Sequence, residues 1–251
     1  SDTVFTATFK KKKMSVTLKS DATMAKSVTG AGQYEYLDNV NIAAEPNYGY
    51  KFVGWSDDGV NVVENSKGHA FELKQDTTLW ALFRKDSMNV TLLVGGDVTR
   101  GTVEGAGRYE FSSRPTIHAV PAYGYEFDRW NDNTGGKDRI ITLVRDTTFT
   151  AYFKPRDMLV SVYSEDPSRG SVTGTNTYKY GDPIEVTATP KYGYEFSGWS
   201  DDTSDNPYNF TLTRDTTLYA YFTNKNYNVT AEASPSYMGT IDGTKQYTHL
   251  G

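Results

Sequence analysis

The side chains of this chain that could do chemistry are few and scattered. Its three histidines, His69, His118 and His249, stand in different sequence contexts. General acid–base work needs such a group within hydrogen-bond reach of fixed partners, and no spacing here brings two of them together. Each reads as an isolated surface residue. Cysteine is absent, which removes thiolate nucleophiles, disulfides and zinc–thiolate sites. No Gly-x-Ser-x-Gly elbow and no glycine-rich phosphate loop is found. Carboxylates gather at Asp57 and Asp58, at Asp132, and at Asp201, Asp202 and Asp205. Calcium takes several oxygen ligands, but the spaced Asp-x-Asp-x-Asp-Gly loop with a distal Glu is missing. Turn residues are the favoured reading. No catalytic residue, metal ligand or cofactor is therefore expected.

Two features remain that could bind. Residues 10–13 are all lysine; they could meet an anionic glycan or a membrane surface, though a solvated linker accounts for them. Trp80, Tyr152, Tyr219 and Tyr221 lie in strands where apolar residues alternate with them, so they face away from the core. Exposed aromatics stack on sugars or bind proteins, and they also pack against neighbouring units. These four are the candidate ligand-binding residues, with packing as the competing role and host protein or glycan as the partner class.

The elements that carry them come in repeats. Residues 46–55 read Pro-Asn-Tyr-Gly-Tyr-Lys-Phe-Val-Gly-Trp, and the phrase returns at 121–130 and 190–199. A second phrase, Asp-Thr-Thr-x-x-Ala-x-Phe, occupies 76–83, 146–153 and 215–222, with a variant at 2–9. A third opens each unit at Met14, Met88, Met158 and Tyr227. Gly30, Gly105, Gly174 and Gly243 each precede a tyrosine by four residues, at Tyr34, Tyr109, Tyr178 and Tyr247. The stretch from Trp to Asp varies most: 21 residues from Trp55 to Asp76 against 16 in the other two units. That is a five-residue insertion, expected in a surface loop.

Period-two alternation marks strands. Met14, Val16 and Leu18 alternate, as do Val40, Ile42 and Ala44, then Leu79, Ala81 and Phe83. Gly, Pro and Asp clusters break the runs into turns. Each unit reads as five or six short strands of small, mostly antiparallel β domains, with its Trp in the core. A repeat of about 70 residues exceeds the solenoid range and can enclose its own core. The divisions expected are 1–13, a last strand plus linker; repeats at 14–86, 87–157 and 158–226; and 227–251, the first strands of a fourth. Four-residue linkers at 10–13, 84–87, 154–157 and 223–226 would hold the beads close, as an elongated rod. Both ends fall inside a unit, so the chain is expected to be a piece of a longer array.

The paired phrases Tyr-Gly-Tyr-x-Phe-x-Gly-Trp and Asp-Thr-Thr-Leu-x-Ala-x-Phe resemble the Listeria–Bacteroides repeat, the divergent internalin B-type B repeat. The likeness covers nearly the whole chain. Asp128-Arg129 departs from it, where Val53-Gly54 and Ser197-Gly198 stand in the other copies. The resemblance implies β-grasp-like domains in secreted or surface proteins of bacteria, serving as tandem spacers or adhesion modules, with no catalytic centre. A net charge of −5 argues against nucleic acid as a partner. No apolar stretch is long enough to cross a membrane. The expectation is a monomeric, extracellular or cell-surface, non-enzymatic spacer, with adhesion through the exposed aromatics as the alternative.

Overall fold

The computed structural model describes residues 2–234, 238–243 and 245–249. The first repeat is built from β1 (Lys13–Ser20), β2 (Ala25–Thr29), β3 (Gly32–Glu35), β4 (Asn39–Pro46), β5 (Tyr50–Ser56), β6 (Gly68–Glu72) and β7 (Thr77–Lys85). The second follows the same plan with β8 (Ser87–Val94), a 3-10 turn at Val98–Arg100, β9 (Gly101–Glu104), β10 (Gly107–Glu110), β11 (Thr116–Pro121), β12 (Tyr125–Trp130), β13 (Asp138–Ile140) and β14 (Thr147–Pro155). The third has β15 (Asp157–Ser164), β16 (Gly170–Thr173), β17 (Asn176–Lys179), β18 (Pro183–Pro190), β19 (Tyr194–Trp199), β20 (Tyr208–Thr211) and β21 (Thr216–Asn224). Strands β22 (Asn226–Val229) and β23 (Lys245–Thr248) pair beyond it. The chain is thus mainly β, in tandem repeats, as expected.

Seven strands stand in each repeat where five or six were expected. On either side of the Gly30-Ala-Gly32 corner stand two short strands, β2 and β3, which join different sheets. One sheet has the order β3-β1-β7-β5 and the other β2-β4-β6. Repeats two and three use the same orders. The larger sheet is mixed, because β1 and β7 run parallel, Val16 opposite Thr77 through Ser20 opposite Ala81. Every other named pairing of the first repeat is antiparallel.

By spatial contact the chain forms two compact units. One is Ser1–Gly95, Val103–Val120 and Arg129–Ala151; the other is Gly96–Thr102, Pro121–Asp128 and Tyr152–Gly251. In the first, Met14, Val16, Val40, Ile42, Ala44, Trp55, Leu73, Leu79 and Ala81 form one buried cluster between the two sheets of the first repeat. In the second, the matching cluster runs from Met158 to Phe222 and includes Trp199.

Trp55, Trp130 and Trp199 are all buried, as the motif predicts. Phe52 and Trp55 are three residues apart, so a regular strand would send them to opposite faces. A bulge between Phe52 and Gly54 shifts the register, and the two rings meet edge-on at 5.7 Å. A bulge between Phe196 and Gly198 does the same for Phe196 and Trp199. Each of these indole N–H groups donates to a loop carbonyl: Ser66, Gly136 and Asp205, at 3.0–3.1 Å. This satisfies the donor that burial would otherwise strand.

The fixed Gly-to-Tyr spacing has an equally direct cause. Tyr34 donates its hydroxyl proton to the Gly30 carbonyl at 2.9 Å, and Tyr109 and Tyr178 do the same to Gly105 and Gly174. The Asp of each Asp-Thr-Thr ties the last strand to the first. Asp76 accepts from the Ser15 amide, Asp146 from Asn89 and Asp215 from Leu159, all at 2.7–2.8 Å.

Three of the four expected linkers, at 84–87, 154–157 and 223–226, are almost wholly strand, whereas residues 10–12 carry no regular structure. Strand β7 ends at Lys85 and β8 begins at Ser87, so only Asp86 lies between them. Arg156 and Lys225 are the single residues at the next two junctions. Pairing with the flanking sheets draws the polar linker residues into strand.

Candidate functional site

The four candidate aromatics lie on the outer face of the closing strands, in unequal settings. Trp80 is half-buried on β7. The Lys19 ammonium from β1 sits 4.7 Å from its ring centroid. The insertion loop reaches it too, since a Cβ on Gly59 would lie 3.4 Å from the indole. An open groove of about 740 Å3 runs beside it, lined by Leu18, Lys19, Asp21, Met24, Trp80 and Phe83 among others. Tyr152 on β14 is half-buried and has interactions of its own. Tyr219 and Tyr221 on β21 are 44% and 40% exposed.

The sequence reading missed Tyr163. It lies on β15, opposite Tyr219 in the parallel pairing. Their rings stack at 5.5 Å with 30° between planes, and Tyr163 is 49% exposed. Leu159, two residue pairs along the same face, is exposed as well. The signal was present: Tyr163 alternates with buried Val160 and Val162 just as Tyr219 does with Leu218 and Ala220. It was overlooked because a parallel neighbour lies far off in sequence. At the same register, the first repeat has Lys19 beside Trp80 and the second has Leu93 beside Thr150. The outer face is therefore different in every repeat.

Of the acidic residues after each Trp, Asp58, Asp132 and Asp201 accept backbone amides within their turns. Asp58 accepts from the amides of Asn61 and Val60 and from the Asn61 and Ser56 side chains. These donors, the Asn61 amide foremost, hold its carboxyl far below the usual carboxylate range. At Asp132, burial pushes the pKa up, but Thr134 and Arg139 outweigh it and the net shift is down. Arg139 reaches both carboxylate oxygens of Asp132 at 2.9 Å. Among the described residues, no group of three or more His, Asp or Glu is placed to hold a metal ion.

His118 lies 3.0 Å from Asp138, and His69 stacks on Phe71 beside Glu64. None of the three is therefore the isolated surface histidine expected, and His249 departs furthest from it. Its ring meets Tyr192 and Tyr194 edge-on at 6.0 and 5.4 Å. It thereby fills a position that recurs. Phe111 meets Tyr48 and Tyr50 at 5.9 and 5.6 Å; Tyr180 meets Tyr123 and Tyr125 at 6.0 and 5.4 Å. In every case the ring comes from one repeat and the Tyr-Gly-Tyr turn from the repeat before it. The turn glycine has φ of +83° to +84° and no side chain, so the ring lies directly against its backbone.

The single junction residue completes this joint. Asp86 donates its amide to the Gly49 carbonyl and accepts from the Phe111 amide, both at 2.8 Å. Arg156 bridges Gly124 and Tyr180 in the same way, and Lys225 bridges Gly193 and His249. Tyr36 in the first repeat makes the corresponding bond to the Lys12 carbonyl. The sequence clue was an aromatic ring two residues after each Gly-linked tyrosine: Tyr36, Phe111, Tyr180 and His249.

Seven-strand, two-sheet units, joined by one residue and one aromatic contact, define a tandem β-repeat protein. The model of the divergent InlB B-repeat domain matches the chain three times, at residues 16–87, 93–157 and 160–226. The chain belongs to that family, as its motifs implied, and the family is a repeat domain of surface proteins and not a known enzyme family. No curated protein matches. Among solved structures, the Bacillus anthracis TIE protein matches at 9% identity and a TM-score of 0.38, over 82% of this chain and 49% of the other. The chain spans about half of that protein, and a likeness this slight carries no argument about function.

Proposed function

We propose that this array is a non-catalytic spacer that holds other parts of a bacterial surface or secreted protein away from their anchor, outside the cell. The observation that carries this reading is what recurs and what does not. Core, turn and joint residues return in each repeat, while the outer face changes from Lys19–Trp80 to Leu93–Thr150 to Tyr163–Tyr219. Selection on a repeated ligand site would keep a surface; selection on length and stiffness keeps cores and joints. Inserting another copy of residues 158–226 should lengthen the particle in small-angle scattering by on the order of 30 Å, one domain diameter. An unchanged maximum dimension would refute the spacer.

Adhesion is the second reading, favoured by one observation: Leu159, Tyr163, Tyr219 and Tyr221 share an exposed face on the third repeat. It places Tyr219 and Tyr221 among the binding residues and gives Trp80 and Tyr152 lesser parts. A glycan array probed with the intact chain separates the two. Binding that is lost in Tyr163→Ala and Tyr219→Ala would establish adhesion through this face.

A further inference from the structure

We propose that the Tyr-Gly-Tyr turn is a socket for the repeat that follows, and that the ring at Phe111, Tyr180 or His249 is the plug. Plug and socket together, and not the junction residue alone, would then fix the angle between consecutive repeats. This rests on the spacer reading and deepens it, naming the partner of the turn as the next copy of the same repeat. An aromatic, solvent-facing Tyr-Gly-Tyr turn otherwise has the look of a ligand platform. Here each of the three turns already holds a ring. The plug position accepts Phe, Tyr and His, so it asks for a flat ring and not for a particular polar group. Edge-on packing between ring centroids at 5–6 Å is the geometry aromatic quadrupoles prefer. The socket asks for glycine, because the backbone must be at positive φ and the ring occupies the space of a side chain. The junction residue supplies the orientation, with its amide bonded to the socket glycine and its carbonyl to the plug. A lone covalent link of one residue would leave its own φ and ψ free; two hydrogen bonds and a ring contact remove that freedom.

The chain lacks cysteine, so a pair introduced for spin labelling is unique. Thr102→Cys in the second repeat and Glu185→Cys in the third are both at exposed sites, on either side of the Tyr180 joint. Pulsed dipolar spectroscopy on the intact chain should give a narrow distance distribution. Tyr180→Ala should broaden it by about twofold or more, since domains without a docked interface move independently. Tyr180→Phe keeps the ring and should leave the width unchanged, and so should Tyr219→Ala, on the outer face of the same repeat. Tyr180 also packs against the core of its own repeat. Tyr123→Ala is therefore the companion variant, because that ring is 68% exposed and meets Tyr180 edge-on. Broadening in both alanine variants supports the socket. Equal widths in all variants, or a parent distribution as broad as a free linker gives, would overturn it. With a loose joint an added repeat would still lengthen the particle, though by less, so the spacer and the socket fail by different results.

Discussion

Gly124 lies beneath the Tyr180 ring so closely that a Cβ built on it would fall 2.5 Å from the ring carbons. Two separate demands meet at this glycine, a φ of +84° and an absent side chain. Gly181 offers the comparison, because its φ is +88° but nothing lies within 4 Å of its Cβ position. Gly181→Ala should therefore show backbone strain alone, about 1 kcal/mol. Gly124→Ala should cost about 2 kcal/mol or more, with the displaced ring added. Urea unfolding followed by tyrosine fluorescence would measure both; equal losses would mean that the ring contact contributes nothing to stability.

The bond from each tyrosine to its glycine makes a second expectation. Tyr34, Tyr109 and Tyr178 each donate to a part-buried carbonyl at 2.9–3.1 Å. Removing the hydroxyl leaves that carbonyl short of a partner. Tyr109→Phe should cost about 0.5–1.5 kcal/mol, read as a lower urea midpoint at unchanged slope. The glycine-to-tyrosine bond would be idle if the midpoint did not move.

Acid should loosen the fold through carboxylates that cap backbone amides. Asp76 is held below its usual pKa by the Ser15 amide and hydroxyl, Asp58 by Asn61 and Val60, Asp166 by the Ser168 hydroxyl and amide, and Asp97 by Thr99. A pKa lowered on folding means that the unfolded chain binds the proton more tightly. The stabilisation is complete above the unfolded value of about 3.9 and is lost as pH falls through the lower, folded values. The melting temperature should stay level from about pH 7 to 5 and decline below about pH 4. Asp76→Asn should melt lower at neutral pH and show a shallower acid decline. An Asn variant that followed the parent curve at every pH would remove Asp76 from this account.

Much of this architecture is written locally, and what escaped the sequence reading was non-local. Alternation in Val40, Ile42 and Ala44 reports a buried face directly, and the recurrence of Trp at one spacing identified the core. Seven strands, in place of five or six, depend on which sheet the residues after Gly30-Ala-Gly32 join, and no local pattern encodes that choice. The same applies to Tyr163, whose partner Tyr219 comes from a parallel strand of the same repeat. His249 read as solitary because its partners, Tyr192 and Tyr194, belong to another repeat. Only alignment with Phe111 and Tyr180 reveals its role. The polar linkers at 84–87, 154–157 and 223–226 read as connecting segments by composition, yet hydrogen bonding to the flanking sheets makes them strand.

Trp199 and Tyr219 offer the sharpest contrast between core and surface aromatics. Trp199 is 2% exposed, packed on Phe196, with its N–H on the Asp205 carbonyl. Truncation would empty a large volume between two sheets that the bulge at Gly198 holds in fixed register, so the site can collapse only partly. Trp199→Ala should cost about 3–5 kcal/mol. Tyr219 stacks on a single ring at the solvent-facing side of the sheet, and Tyr219→Ala should fall within about 1 kcal/mol, the range of a cross-strand pair. Thermal unfolding of the two variants side by side would check this. If Tyr219→Ala proved as damaging as Trp199→Ala, the outer face would be a structural layer and could not be spared for ligand binding.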